Sequence, residues 1–313
     1  MRESILVAGS LNMDFVARVG VLPAAGQTLT GLSFDLIPGG KGANQACAAG
    51  KLAGPATAVR MAGCVGTDSF AEDLCHSLAL AGVEVGAVQR VAGATTGAAM
   101  INVDAAGQNT IVVIPGANQR FEATHAEALR GTLRESAWVL LQLETPLGTV
   151  EAILQAARQE GTQSMLDPAP AQTLTRELLS LVDVLTPNES EACILLGRPL
   201  SRVGLAEAPA MARALLALGP RAVVLKLGEA GCYYSGPEGE HVAPAFTVRA
   251  VDSTAAGDTF NAALAVALTE RLPVPAGLRF ANAAAALSVT RPGAQTSAPS
   301  REETEAFLSA RPS

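Results

Sequence analysis

The 313-residue sequence predicts an α/β fold: a mainly parallel sheet covered by helices on both faces, with a small antiparallel β sheet appended as a lid. Three observations predict it. Strand-like apolar runs alternate with helical stretches along most of the chain. Each run is continuously apolar, as strands buried on both faces must be. Two segments, Val16 to Leu36 and Thr96 to Ile114, break the rhythm with short alternating runs punctuated by Gly.

In chain order the predicted strands are Ile5–Gly9, Ala58–Gly63, Trp138–Leu143, Ser164–Asp167, Val184–Thr186 and Ala222–Leu227. Helical periodicity fills Asp68–Leu80, Pro146–Gln159 and Ala208–Leu218 between them. The two irregular segments place the lid at about residues 14–36 and 94–116. There it would cover a site at the carboxyl ends of the parallel strands, where open α/β sheets bind ligands. No repeat or Pro/Ser-rich linker divides the chain, so residues 1–313 read as a single catalytic domain with a lid.

Composition excludes several classes of function. Lys and Arg number 22 against 29 Asp and Glu, a formal charge of −7, which gives no footprint for a nucleic-acid backbone. The mean hydropathy of +0.29 raises the question of a membrane protein. However, the charge-free stretches Val19–Phe34 and Ala105–Gln119 fall short of the ~20 apolar residues a bilayer needs and contain Gly and Pro. The start, Met1-Arg2-Glu3-Ser4, lacks the long apolar core of a signal peptide, which points to a cytoplasmic protein. Five cysteines (Cys47, Cys64, Cys75, Cys193, Cys232) without C-x-x-C spacing suggest reduced core residues rather than a disulfide framework or a zinc site.

Three segments carry candidate chemistry. In Asp252-Ser253-Thr254-Ala255-Ala256-Gly257-Asp258 small residues permit a tight turn into a helix. The N–H groups of Ala255, Ala256 and Gly257 would form an anion hole, with Asp258 placed to accept a proton from an attacking hydroxyl. Asp258 as a simple helix cap is the competing reading. Pro38-Gly39-Gly40-Lys41-Gly42-Ala43-Asn44 lacks P-loop spacing, yet its glycines allow close backbone approach and Lys41 and Asn44 offer donors. A glycine-rich helix entry without a ligand fits it too. Asn12 and Asp14 follow the first strand, where such residues also serve as turn formers.

Seven runs in order resemble the ribokinase family of sugar kinases over almost the whole chain. They are Gly9-Ser10-x-Asn12-x-Asp14, Gly39–Ala46, Gln142-Leu143-Glu144, Thr186-Pro187-Asn188-Glu189-x-Glu191, Lys226-Leu227-Gly228-x-x-Gly231, Asp252–Asp258 and Thr290–Ser297. The resemblance implies ATP-dependent phosphorylation of a sugar, ribose at its 5-hydroxyl, with Asp258 as catalytic base. It implies that Asn12, Asp14, Gly40, Lys41, Asn44 and Glu144 hold the sugar; without it Glu144 reads as a surface acid. Asn188 would help bind the nucleotide, and Glu191 would hold Mg2+ through water, although a capped helix start suits the same residues. Val223, Lys226, Gly228 and Asn282 would line ATP. A monovalent cation, K+, would be bound by the Asp252 carboxylate, the carbonyls of Thr254, Ser288, Arg291 and Gly293, and the Ser297 hydroxyl. A homodimer formed through the lid is implied as well. Related kinases on the same scaffold accept deoxyribose, fructose or nucleosides, and a catalytically silent sugar-binding protein is the reading from another class. The sequence departs from the family pattern at Ser253 and Lys226, where Thr is common, and at Ala71, where Gly is.

Overall fold

In the computed structural model, which describes residues 2–311, the chain forms 13 strands and 11 helices in the order below; Met1 and the last two residues lie outside. The amino-terminal part gives β1 (Ser4–Ala8), β2 (Asn12–Arg18), β3 (Ser33–Gly39), α1 (Lys41–Leu52), β4 (Ala58–Val65), α2 (Ser69–Leu80), β5 (Val83–Arg90), β6 (Gly97–Val103) and β7 (Asn109–Ile114). The middle gives α3 (His125–Ala128), α4 (Arg130–Glu135), β8 (Trp138–Leu141), α5 (Leu147–Glu160), β9 (Gln163–Leu166), α6 (Arg176–Leu179), β10 (Val184–Leu185), α7 (Glu189–Leu195) and α8 (Ala208–Leu216). The remainder gives β11 (Ala222–Lys226), β12 (Cys232–Gly236), β13 (Gly239–Ala243), α9 (Ala256–Thr269), α10 (Val274–Ser288) and α11 (Arg301–Ser309).

Nine strands form the main sheet in the order β13-β12-β11-β10-β9-β8-β1-β4-β5. From β5 to β11 every pairing is parallel, and β12 and β13 close one edge as an antiparallel hairpin. Strand pleating sends alternate side chains to opposite layers. In β1, Ile5 and Val7 belong to the core layer that holds α1, α9 and α10, while Leu6 and Ala8 belong to the opposite layer with α5 and α8, and all four are fully buried. The predicted strands and helices are present within a few residues of their expected ends. Sequence reading did not find β5, β12, β13 or α11. The buried β12 mixes Tyr with Ser and Gly, β13 is largely exposed, and β5 alternates polar and apolar residues, so none shows the apolar run used to find strands.

The second sheet has four strands in the order β3-β2-β6-β7 and corresponds to the expected lid. Its outer pairs are antiparallel, whereas the central β2–β6 pair is parallel. That parallel pair arises because the chain crosses α1, β4, α2 and β5 of the main layer before returning. Four of the five cysteines are buried, Cys75 is half-buried, and all five are free. Among the described residues no helix is long and apolar enough to cross a membrane.

Candidate active site

The site forms at the carboxyl end of β1, where strand and helix touch with no room for side chains. A Cβ on Gly42 would lie 2.7 Å from the Gly9 carbonyl carbon and 2.7 Å from Ser10 N. Gly40, the residue before α1, has φ 88°, and a Cβ there would lie 2.7 Å from Asn12 N. The glycines of this motif are therefore required by close backbone approach and by a left-handed turn. The amino end of α1 receives the Glu144 carboxylate, which accepts from Lys41 N at 3.1 Å and from Ser10 Oγ at 2.5 Å. Glu144 is thus an anion at a helix start rather than a surface acid.

Asn12 opens β2, pairs in register with Gly39 and Gly97, and accepts from Asn118 Nδ2 at 2.7 Å. Asp14 lies against Gly39, where a Cβ would come within 2.2 Å of its Oδ2. Burial, reinforced by the Glu144 charge, pushes the Asp14 carboxyl up to about 7. Lys41 faces Asp258, Asp167, Glu144 and Glu191, and these carboxylates outweigh burial to hold its ammonium firmly charged.

Asp258 lies at the start of α9 and is 5% exposed. It caps nothing: the helix is preceded by Ala255 in the left-handed region at φ 57°, with no side-chain cap. Its carboxylate instead accepts from Asn44 Nδ2 at 3.2 Å and Gln45 Nε2 at 3.1 Å, both on α1. Burial is the main cause that pushes this carboxyl up to about 6, against the attraction of Lys41. Asn44 Oδ1 is buried without a partner, a vacancy that a sugar hydroxyl would fit. In the turn before α9, Ala256 N donates to Ser253 O at 3.2 Å, while Ala255 and Gly257 keep their N–H groups uncommitted to the backbone.

Asp258, Lys41 and the Ala255–Gly257 turn open on a cavity of about 450 Å3 that Asp167, Asn188, Glu191 and Lys226 also line, whereas Asn12, Asp14, Gly40, Asn44 and Glu144 stand outside that lining. Asn188 and Glu191 form a reciprocal capping box at the start of α7, with Asn188 N donating to Glu191 Oε2 at 2.8 Å and Glu191 N to Asn188 Oδ1 at 2.9 Å. The capped-helix reading is therefore realised at residues that also line the cavity. Glu191 is buried, which raises its carboxyl above the usual range despite Lys226 nearby. A polar wall containing a buried carboxylate and a free helix start fits a hydrated Mg2+ and a polyphosphate.

A second cavity of about 630 Å3 adjoins the first, lined by Gly228, Phe246, Val248, Asn282, Ala286 and Val289 among others. Its largely apolar wall suits a nucleobase. Asn282 donates to the carbonyls of Ala243 at 2.9 Å and Pro244 at 3.2 Å, so it also braces the loop that forms this wall. Val223 does not reach the cavity. It is 0% exposed on the opposite face of β11, because strand alternation turns Val223 and Leu225 toward α8. Its expected nucleotide contact is withdrawn.

The two loops expected to hold a cation are brought together. Asp252 accepts from Thr254 N at 2.9 Å, Thr254 Oγ1 at 2.7 Å and Gly293 N at 2.9 Å. Burial alone would raise its carboxyl, but these donors hold it below the ordinary range. Ser297 and Ser288 donate their hydroxyls to the carbonyls of Ala294 and Ala285, and the Ser288 carbonyl accepts from Arg291 N. The bonds from Gly293 N to Asp252 and from Asp252 N to Val289 O thus hold the two loops side by side.

Sequence reading gave no role to Gln45, Asp167, Gln142 or Asn118, all buried and all hydrogen-bonded to site residues. Gln45 and Gln142 stand inside motifs quoted above, so their position was visible. Asp167 ends a predicted strand at the sheet edge that bears the site, which was the available signal.

A phosphotransfer site with two adjoining cavities at the carboxyl edge of a mainly parallel sheet defines the class, and comparison with known proteins agrees. The family model of the pfkB family carbohydrate kinases matches residues 2–301, and the chain belongs to that family. It is 39% identical over 311 residues to the ribokinase of Haemophilus influenzae, covering 98% of this chain and 99% of the relative. To the Bacillus subtilis ribokinase it is 40% identical over 307 residues, 98% of this chain and 100% of that one. The structure of Arabidopsis thaliana ribokinase complexed with ribose and ATP superposes with a TM-score of 0.91 at 31% identity, covering 98% and 99% of the two chains. The deoxyribokinase of Salmonella typhi is 34% identical over 306 residues, 97% of this chain and 98% of the relative.

Proposed function

We infer that this chain is an ATP-dependent kinase that phosphorylates ribose at its 5-hydroxyl, with Asp258 as the base. The observation that carries the reading is the placement of Asp258. It is buried between two α1 amides and beside the uncommitted N–H groups of the α9 turn, and it opens on the polar cavity of about 450 Å3. Asn12, Asp14, Gly40, Lys41, Asn44 and Glu144 converge from β2, α1 and the end of β8, a set of paired donors and acceptors suited to neighbouring ring hydroxyls. The relatives named for ribose support the choice of sugar.

In the proposed reaction Asp258 takes the hydroxyl proton as the oxygen attacks the γ-phosphorus and ADP leaves. The free amides of Ala255 and Gly257 stabilise the charge on the transferring group, with Ala256 completing the turn. Nucleotide would lie along Lys226, Gly228 and Asn282 into the apolar cavity. Mg2+, held near Asn188 and Glu191 through water, would neutralise phosphate charge. K+ held by Asp252, Thr254, Ser288, Arg291, Gly293 and Ser297 would fix the loop before α9 and add a positive charge there.

The lid supports a homodimer. Every residue of β7 is exposed, and Phe34, Leu36, Ile111, Val112 and Val113 leave an apolar surface on a four-stranded sheet with open edges. Free thiols in the core suit a single lid-bearing domain working in the reducing cytoplasm.

Asp258→Asn tests the reading. It should keep sugar and nucleotide binding by calorimetry while turnover falls about a thousandfold, within the range of lost base catalysis. Near-normal turnover removes Asp258 from the role. Ribose, deoxyribose, fructose and a nucleoside compared at equal concentration decide the substrate, and a titration of activity with K+ against Na+ tests the cation.

A further inference from the structure

The buried ion pair between Asp167 and Lys226 has no part in the reaction as written above. Asp167 directly follows β9 and Lys226 ends β11, so the two charges reach across β10 at the carboxyl edge of the sheet. Lys226 Nζ and Asp167 Oδ1 are 3.0 Å apart, with side chains 13% and 4% exposed. A buried pair of this kind adds little stability over apolar packing, so its placement calls for another reason.

The pair sits between the phosphate cavity and the base. On one side, a Cβ on Gly257 would lie 3.4 Å from Lys226 Nζ, so the ammonium stands at the mouth of the anion hole. On the other, Gln45 Nε2 bridges Asp167 Oδ2 and Asp258 Oδ1, each at 3.1 Å, and Gln45 Oε1 is pinned by Gln142 Nε2 at 2.8 Å. One amide group therefore ties Asp167 to the base in a fixed orientation.

We propose that the pair reports phosphate occupancy to the base: the terminal phosphates of ATP draw Lys226 away from Asp167, whose unbalanced charge then strengthens Asp258 as a proton acceptor. The inference rests on the reading of Asp258 as base. The charged groups acting on Asp258 are Lys41 from α1 and Asp167 just past β9, while Lys226 from β11 and Glu191 from α7 line the same cavity. Of these, Lys226 is an ammonium at the mouth of the anion hole and Asp167 is its partner, so an arriving anion can redistribute this pair directly. The Asp167 charge already raises the proton affinity of Asp258 in the free protein, although its ion pair with Lys226 balances part of that charge. Losing that offset moves the base further in the same direction. Asp167 is thus a positioning residue that acts through Gln45 and through its charge, and Lys226 is the group that meets the nucleotide.

The test compares two acid limbs. The profile of kcat/KM for ATP reports the enzyme before nucleotide binds, and that of the single-turnover rate at saturating ATP reports it afterwards. In the native protein the second limb should lie above the first by about half a pH unit or more. Asp167→Asn, which keeps the shape and the bond from Gln45, and Lys226→Gln should each reduce that gap by at least half. Ionisation of ATP itself is common to all three proteins and cancels. Lys226→Gln should also raise KM for ATP about tenfold, while Asp167→Asn changes it less than threefold. Thermal melts and ribose calorimetry verify that both variants fold. A gap unchanged in both folded variants, or absent from the native enzyme, overturns the proposal. Retained turnover in Asp258→Asn would instead overturn the assignment of the base.

Discussion

The main sheet and the lid sheet are built from the same element, yet they solve opposite problems. Strand β1 is fully buried on both faces and ends in a junction where Gly9 and Gly42 leave no space for a methyl group. Strand β7 is exposed at all six positions although four of them are Ile or Val. The buried sheet fixes the position of Asp258, Asn44 and Glu144 through backbone packing that tolerates no change. The lid keeps the Asn12 and Asp14 end of β2 at the seam and leaves its outer strand β7 exposed. Rigidity at the chemistry and adaptability at the cover are thus assigned to separate sheets.

The contrast can be broken most severely at the junction. Gly42→Val should prevent stable folding or lower stability by ~3 kcal/mol or more, since the added atoms meet backbone on β1. Circular dichroism melts measure it. On the lid, Val112→Asp should convert a dimer to monomer in sedimentation velocity while shifting Tm by no more than ~2 °C, because Val112 is 62% exposed. Asp14, at the seam of the two sheets, should give a mixed result. Asp14→Asn removes a costly buried charge and raises Tm of the ligand-free protein by about 2 °C or more, yet it weakens ribose binding at least tenfold.

The smallest effect is on pH. Asp14 and Asp258 have folded-state values of about 7 and about 6, above the ~3.9 of an unfolded aspartate. The folded protein therefore binds more protons between these limits, and both groups cost stability above their folded values and none below the unfolded one. Tm of the ligand-free protein should rise modestly as pH falls from 7.5 to 5.5. Activity should move the other way, falling as pH drops through about 6 and Asp258 takes up its proton.

Much of this was legible in the sequence, for stated physical reasons. Continuous apolar runs gave β1, β4 and β8–β11, since burial on both faces removes polar alternation. The small-residue turn before Asp258 and the glycines at Gly39, Gly40 and Gly42 marked places where backbone must come close. Single positions were harder. Val223 looked like a lining residue because it stands in the right strand, but one-residue alternation decides its face. Asp167 carried no motif, and Gln45 stood in one without a distinct role; their importance comes from bridges to partners more than a hundred residues away. Glu144 was singled out only through the family resemblance, and its attachment to the start of α1 appears only when the segment after β8 and α1 are brought together.

The row Asn12, Gly39 and Gly97, where β3, β2 and β6 leave the main body, also gives the lid its mechanics. From that row to Arg18 the sheet extends roughly 20 Å at about 3.3 Å per residue. A rigid turn of about 10° around the row would swing the far end roughly 3.5 Å, shift Asp14 by about 1 Å and leave Asn12 nearly still. Such a sheet would be a lever with the proposed sugar site near its fulcrum. Opening at the tip would then cost a bound sugar only the Asp14 carboxylate, so it would be loosened without being released.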